Sequence, residues 1–166
     1  MILKLTDKIL KEPTKRFDFS NPPMDPTELF ENLRDTMIAN KGLGLAANQV
    51  GIPYSVFVIG NPHKPESIFS VFNPTIVDYN KSIQLAEEGC LSFPNLFVMV
   101  KRPTIIKARF SGHDGKVDTI KFDGFTARAF QHEYDHLQGE VFTKKASKFH
   151  LDRAKNNKKK LDRLSK

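Results

Sequence analysis

The sequence predicts a single α+β domain in which mixed, mainly antiparallel sheets pack around a central helix that carries candidate metal ligands. The apolar strand patterns occur in runs between well-separated helical patterns, rather than alternating regularly with them. A turn signal at residues 113–115 joins two neighbouring strands as an antiparallel pair. The 166 residues make one domain of ordinary size, long enough to bury a core.

The first predicted helix covers residues 25–40. Asp25 is its expected N-cap, Pro26 suits the first helical position, and Glu28 completes a capping-box pattern. Glycines at positions 42 and 44 follow the helix and are expected to end it. Apolar residues fall on one face at helical spacing and predict its buried side: Leu29, Phe30, Leu33, Met37 and Ile38.

Five strands are predicted from short apolar runs bounded by turn residues. Asn73 and Pro74 are expected to interrupt the second strand, and residues 101–103 to separate the third strand from the fourth. The fifth strand follows the turn and returns antiparallel to the fourth. In chain order, the predicted strands are residues 55–59, 69–79, 96–100, 105–110 and 116–122.

The second predicted helix begins after Gly124, continues through Gln138 and stops at Gly139. It contains residues 132–136, His-Glu-Tyr-Asp-His. Histidines four residues apart lie about one turn apart on the same face, so both imidazoles can reach one metal ion. Glu133 beside them is a candidate general base. The alternative is an amphipathic helix with two partly buried histidines that bind no metal.

A catalytic site of this type needs a third protein ligand and an open position for water. A metzincin would have a histidine where Phe142 stands, and a thermolysin-like enzyme would use a downstream glutamate, which is absent after Glu140. His113, in a turn, and His150, in the basic tail, are both expected to be solvated. The candidates for the third ligand are Cys90, Glu87, Glu88, His63, His113 and His150.

Cys90 is the only cysteine, so the chain forms no internal disulfide. It is either a small buried hydrophobe or a thiolate ligand, and Gly89 before it permits a close backbone approach. Residues 42–51, Gly-Leu-Gly-Leu-Ala-Ala-Asn-Gln-Val-Gly, leave similar room for another chain or a ligand. They lack the Lys-Ser/Thr of a phosphate loop, and the alternative is a glycine turn that ends a helix.

These three segments together resemble the peptide deformylase family, which removes the formyl group from newly made bacterial-type polypeptides. The family pattern Gly-x-Gly-x-Ala-Ala-x-Gln is matched by residues 42–49, and Glu-Gly-Cys-Leu-Ser by residues 88–92. Gln-His-Glu-x-Asp-His-Leu-x-Gly is matched by residues 131–139. The resemblance covers roughly residues 1–143, the expected catalytic domain. It implies a metal-dependent amide hydrolase that releases formate from N-terminal formylmethionine.

The resemblance also implies which residues hold the metal and which residue acts as the general base. One divalent metal ion would be held by Cys90, His132 and His136; the expected metal is Fe²⁺, which Zn²⁺, Ni²⁺ or Co²⁺ can replace. Glu133 would take a proton from water at the metal and return it to the leaving amine.

Two hydrogen-bond donors for the oxyanion are implied as well: the side-chain amide of Gln49 and the backbone N–H of Leu91. The substrate chain is expected to lie as an added strand near Gly44 and Gly89. The methionine side chain would enter an apolar pocket, for which ordinary core packing is the alternative. The candidate lining residues are Leu43, Phe125 and Ala129.

One position departs from some bacterial members, which have arginine where this chain has Phe97 near the substrate groove. Peptide preference beyond the first residue is therefore left open. Arg102 and Glu88 are expected either to pair and brace the cysteine segment or to leave Arg102 solvated.

The chain carries a net charge of +7, and residues 144–166 hold ten Lys or Arg against two Asp. This basic C-terminal helix or tail accounts for the whole excess, which argues against sequence-specific nucleic-acid binding by the body. Its apolar residues are Leu151, Ala154, Leu161 and Leu164. The tail is expected either to dock on its own domain or to contact the ribosome through RNA phosphates.

Two rival functions remain at this point: a metallopeptidase that cuts internal peptide bonds, and a non-catalytic binding module suggested by the basic tail. No apolar run approaches the length of a membrane span, and the N-terminus lacks the continuous apolar region of a signal peptide. We therefore expect a cytoplasmic monomer without membrane contact, in the host cytoplasm if the source is viral.

Overall fold

A computed structural model describes residues 1–4 and 7–164, with the backbone alone at residue 164. The fold is α+β, as predicted. Its ten main elements are α1 Pro26–Ala39, β1 Gly44–Ala46, β2 Val56–Ile59, β3 Phe69–Tyr79, β4 Ile83–Cys90, β5 Phe93–Pro103, β6 Ile105–Ser111, β7 Val117–Asp123, α2 Gly124–Leu137 and α3 Lys148–Leu164. Short 3₁₀ turns cover residues 8–11, 47–50, 65–67 and 142–145.

The strands form two antiparallel sheets. One has five strands in the order β1-β2-β3-β6-β7, and the other is the pair β4-β5. The prediction that the last strand of the five returns antiparallel to its predecessor is confirmed by the register, in which Ile105 lies opposite Asp123 and Ser111 opposite Val117.

The predicted start of α1 is confirmed. The Asp25 side chain accepts a hydrogen bond of 2.8 Å from the Glu28 N–H, and Pro26 occupies the first helical turn. The helix ends at Ala39, and Lys41 beyond it has a positive φ of 55°.

The interruption expected in the second strand appears as a register shift between Phe72 and Thr75. Asn73 has a φ of 50°, and its side-chain amide bonds both the N–H and the C=O of Phe17 at 2.8 Å. The strand bends without ending at this shift, and the Asn73 backbone N–H still donates to the Ser55 carbonyl at 2.7 Å.

The pair β4-β5 differs from the prediction. The whole of β4 was missed, and β5 continues through residues 101–103, which were expected to break it. Only Thr104 separates β5 from β6. Residue 102 continues the strand because its side chain faces inward onto a carboxylate of β4, as described below.

The strand β2, which lies between β1 and β3, explains why the helices lie on opposite faces of the larger sheet. Val56 and Val58 point into a core cluster with Leu33 of α1, whereas Phe57 and Ile59 point into a cluster with residues of α2. Both faces are covered, so all four residues of β2 are buried. The helix α2 is buried around most of its circumference and occupies the centre of the domain.

The basic tail forms α3, which packs against β5. Ala154 is buried among Val98, Val100 and Phe142, and Leu151 is partly buried against the same cluster. Leu161 is 42% exposed, and the side chain of Leu164 lies outside the described residues. Within the described ranges, no helix has the length and apolarity to cross a membrane.

Candidate metal centre

Three candidate ligands from distant parts of the sequence meet at one point. His132 and His136 lie one turn apart on α2, and Cys90 ends β4. Their ligand atoms all lie within 4.8 Å of one another, and Cys90 Sγ is 3.2 Å from His136 Nε2. No other group of His, Cys, Asp or Glu in the described part of the chain has this arrangement. One thiolate and two imidazoles suit a divalent transition metal and leave a fourth position open.

The local backbone of β4 brings Cys90 to α2. The register of the β4-β5 pair shifts between Glu88 and Cys90, which turns the sulfur away from the regular ladder. Gly89 lets the Phe97 ring pack against the backbone at this bend, because a Cβ there would lie 2.8 Å from that ring and displace it.

A buried carboxylate orients the first histidine. Glu88 Oε2 lies 3.0 Å from His132 Nδ1, and since a carboxylate is an acceptor, this nitrogen carries the proton and Nε2 is left for the metal. Arg102 donates to both Glu88 oxygens, at 2.6 and 2.9 Å. Burial raises the pKa of Glu88, but the hydrogen bonds from His132 and Arg102 outweigh it and lower the pKa to about 2.

The alternative in which Arg102 pairs with Glu88 is therefore correct. The same guanidinium donates to Asp135 at 2.8 Å, and Lys145 Nζ lies 3.0 Å from the other oxygen of Asp135. The arginine side chain is only 3% exposed. Buried charges of this kind are tolerated because each has an opposite charge and hydrogen-bond partners.

The two histidines sit in different electrostatic environments. Burial lowers the pKa of His132, but hydrogen bonds with Cys90 and Glu88 raise it to about 10. Burial and repulsion from His132 hold the pKa of His136 well below its usual range. A divalent cation held by these donors would require both imidazoles to be neutral at the nitrogens that bind it.

Glu133 lies beside the three donors with one oxygen unpaired. Its side chain is 5% exposed, and within the described residues Oε2 has no hydrogen-bond partner. Burial raises its pKa to about 7, although His132 opposes this shift. Gly44 makes room for this carboxylate, because a Cβ at that position would lie 2.4 Å from Glu133 Oε1. A buried oxygen without a partner next to a donor triad fits a group that acts on water or substrate.

Gln49 faces the sulfur from the opposite side. Its Oε1 accepts the Ala46 N–H at 2.9 Å, which fixes the amide and directs Nε2 toward Ser92 Oγ at 3.1 Å and Cys90 Sγ at 3.4 Å. Next to it, Asn48 Nδ2 donates to the backbone oxygen of His136 at 2.6 Å. The segment of small residues therefore anchors both the amide and the C-terminal part of α2.

A cavity of about 560 Å³ opens beside the triad. Every residue expected to contact substrate lines it, and so do Gln49, Glu133, Cys90 and His132. Leu43, Phe97 and Phe125 expose large apolar surfaces at its rim. The expected substrate-contacting residues are Leu43, Gly44, Gly89, Phe125 and Ala129, and Leu91, expected as an oxyanion donor, lines the cavity as well.

Two residues of the site were not expected from the sequence, and one expectation was wrong. Ser92 holds the Gln49 amide, and Arg128 lines the cavity and donates to Glu88 at 2.6 Å. His113 is not solvated as expected: it is half-buried, bonded to Ser70 Oγ at 3.0 Å and stacked on Phe30. It lies apart from the triad, as do His63 and His150.

Comparisons with known proteins agree with this geometry. The family model described as polypeptide deformylase matches residues 1–152. A peptide deformylase of Microchaete diplosiphon is 39% identical over 142 residues, covering 83% of this chain and 74% of the relative. Peptide deformylase 1 of Bacillus cereus is 37% identical over 149 residues, covering 90% and 93%.

Solved structures are similar over nearly the whole chain. The peptide deformylase of Plasmodium falciparum superimposes with a TM-score of 0.89 at 29% identity, covering 98% of this chain and 95% of that one. The Synechococcus elongatus enzyme, solved in complex with actinonin, gives a TM-score of 0.86 at 31% identity, covering 95% and 85%.

Proposed function

The chain belongs to the peptide deformylase family, metal-dependent hydrolases that remove the N-formyl group from nascent polypeptides, and we propose that Glu133 is its acid–base catalyst. The observation that carries this proposal is the buried, unpaired Glu133 Oε2 beside Cys90, His132 and His136. A raised pKa of about 7 suits a group that must accept and return a proton near neutral pH.

The triad and Glu133 have different proposed roles in the hydrolysis. When bound by the triad, a divalent cation supplies a Lewis acid that polarises the formyl carbonyl and lowers the pKa of water. Glu133 Oε2 takes the proton of the attacking water and later delivers it to the departing amine nitrogen. The formyl carbon–nitrogen bond breaks, and formate and a free amino terminus are released.

Gln49 and Leu91 are proposed to stabilise the oxyanion. The Gln49 amide nitrogen lies 3.4 Å from Cys90 Sγ, which supports an N–H donor directed at the triad, where a negative oxygen would develop. The apolar rim supports seating the first side chain in the cavity, with the peptide extended past Gly44 and Gly89.

Ferrous iron is the proposed metal, with Zn²⁺, Ni²⁺ and Co²⁺ able to occupy the same site. A thiolate with two imidazoles accepts each of these ions, and zinc binds such donors more tightly than iron. Anaerobic purification followed by metal analysis and activity measurement of the same sample tests the assignment. Activity that rises with zinc content and not with iron would contradict it.

Partners and location follow from the substrate. Formylated chains emerge at the ribosome, so we propose that a cytoplasmic monomer carries a catalytic unit in residues 1–143 and a ribosome-contacting tail in residues 144–166. The exposure of Lys155, Lys159 and Lys160 supports this division. No membrane partner and no sequence-specific nucleic-acid partner is proposed.

Formate release provides the test of mechanism. Metal-loaded Glu133→Gln should release formate from a formyl-Met peptide about 10²–10⁴-fold more slowly while its metal content stays normal, because only the base is lost. Glu31→Gln, the same change at an exposed position of α1, serves as the control. Near-normal turnover by metallated Glu133→Gln would refute the assignment, and cleavage of unformylated peptides would favour a metallopeptidase instead.

A further inference from the structure

The wall of the cavity contains a buried arginine. Arg128 lies on α2 three residues after Phe125 and four before His132, and with Ala129 these residues form the helix face that lines the cavity. The Arg128 side chain is only 10% exposed. The pocket expected to be apolar therefore has a guanidinium within one helical turn of a metal ligand.

Three acceptors fix the orientation of this guanidinium. Its Nη1 donates to Glu88 Oε1 at 2.6 Å and to the Val100 carbonyl at 3.1 Å, and its Nη2 donates to the Gln84 carbonyl at 2.7 Å. A guanidinium has five N–H groups, so these three bonds to described residues leave two for an acceptor inside the cavity that Arg128 lines. The planar fork is already ordered, and little further entropy is lost when a ligand binds it.

Arg128 differs from Arg102 in position. Arg102 donates to Glu88 and to Asp135 and does not line the cavity, whereas Arg128 donates to Glu88 and lines the cavity. Lys145 pairs with both Asp135 and Glu140, so the charges of the cluster are balanced. Arg128 is therefore the cation of this cluster that an electronegative atom in the cavity can reach.

We propose that Arg128 determines which first residue the enzyme accepts, and that the cavity takes formylated peptides beginning with methionine sulfoxide as well as methionine. A purely apolar pocket disfavours the sulfoxide, because its oxygen loses hydrogen bonds to water when buried. An N–H of Arg128 replaces one of those bonds. The inference rests on the proposed seating of the first side chain beside α2.

The test compares three peptides that differ only in the first residue: formyl-methionine, formyl-methionine sulfoxide and formyl-norleucine, which has a methylene in place of the sulfur. In the wild type, kcat/KM for the sulfoxide should stay within about tenfold of that for norleucine. In Arg128→Met, the sulfoxide-to-norleucine ratio should fall by a further factor of about ten or more. Arg128→Lys keeps one cationic donor and should retain part of the preference.

Arg102→Met is the matched control. It also loosens Glu88, but it leaves Arg128 in the cavity wall, so it should slow all three peptides together without changing their ratio. A wild type that rejects the sulfoxide about a thousandfold overturns the proposal, whether or not Arg128→Met folds. An equal change of the ratio in Arg102→Met overturns it too. Formate release from the formyl-methionine peptide is measured for the wild type and every variant. This measurement distinguishes a loss of deformylase activity from a change in preference for the first residue.

Discussion

The helices α2 and α3 are both rich in charge, but they place that charge in opposite environments. On α2, Arg128, Glu133 and Asp135 are buried, and the arginine and the aspartate bond to side chains from other elements. On α3, Lys155 and Lys159 are exposed to solvent. Buried charge on α2 is thus fixed by partners from other elements, whereas the lysines Lys155 and Lys159 of α3 keep their contact with solvent.

This difference has an energetic basis. A buried ion needs a partner and hydrogen bonds, because its desolvation alone is strongly unfavourable. An exposed ion keeps its water, and a surface pair contributes little. Substitutions near α2 should therefore have large effects, and equivalent substitutions on α3 should have small ones.

Loss of the sulfur ligand beside α2 should have the largest effect. In Cys90→Ser a hydroxyl replaces the thiolate, and metal affinity should fall by more than the 10- to 100-fold that groups outside the ligand set typically contribute. In cobalt-substituted protein the sulfur-to-metal absorption should disappear. Ser92→Ala, two residues away, should keep that absorption. An unchanged band in Cys90→Ser would mean that this sulfur does not bind the metal.

Breaking the buried ion cluster should have the next largest effect, and it compares the two helices directly. Arg102→Met leaves Glu88 and Asp135 short of a buried partner and should reduce the free energy of unfolding by about 3–5 kcal/mol. Lys158→Met breaks the Lys158–Asp162 pair on α3 and should reduce it by no more than about 1 kcal/mol. Chemical denaturation measures both. Equal losses of unfolding free energy in the two variants would contradict the proposed difference between the buried ion cluster and the surface pair on α3.

Loss of the proposed oxyanion donor, Gln49, should have the third largest effect. Gln49→Leu should lower kcat by about 10²–10³, equivalent to about 2.7–4 kcal/mol, with a smaller change in KM. Gln138→Leu, the same substitution at the exposed C-terminal end of α2, should leave kcat unchanged. Metal content must be measured in parallel, because Gln49 also contacts Cys90 Sγ. A pure rise in KM would assign Gln49 to substrate binding instead of transition-state stabilisation.

The contrast between buried and exposed charge also explains which elements could be predicted. The helix α1 and the strands β2 and β3 bury apolar residues at regular spacing, and that pattern is local in the sequence. The strand β4 turns Glu88 inward, and this is possible only because Arg102 and Arg128 meet it from distant positions. No local pattern distinguishes such a residue from a solvent-exposed glutamate.

The candidate site shows the same division. The two histidines and Glu133 were predictable from their spacing on one helix, whereas Cys90 and Gln49 were assigned through the family resemblance. Ser92 and Arg128 were not, since their roles depend on partners 43 and 40 residues away in the sequence. The short strand β1 has three residues, too few to show a period.

The smallest effect on chemistry should come from the charge of α3. Replacing three exposed lysines with glutamine keeps Ala154 packed on β5, so kcat/KM for a short formyl-peptide should stay within about twofold of wild type. Ribosome affinity should weaken, and the slope of log affinity against log salt should become shallower by about 0.7–0.9 for each RNA phosphate that the variant no longer neutralises.

Deletion of residues 147–166 should weaken ribosome binding further, while also exposing the apolar face of β5. The control replaces three exposed lysines outside α3, one each on β5, β6 and β7. Equal ribosome affinity at low and moderate salt in wild type and variant would reject docking through α3 and leave the helix a purely structural cover for β5. The tested lysines are Lys155, Lys159 and Lys160, and the control lysines are Lys101, Lys107 and Lys121.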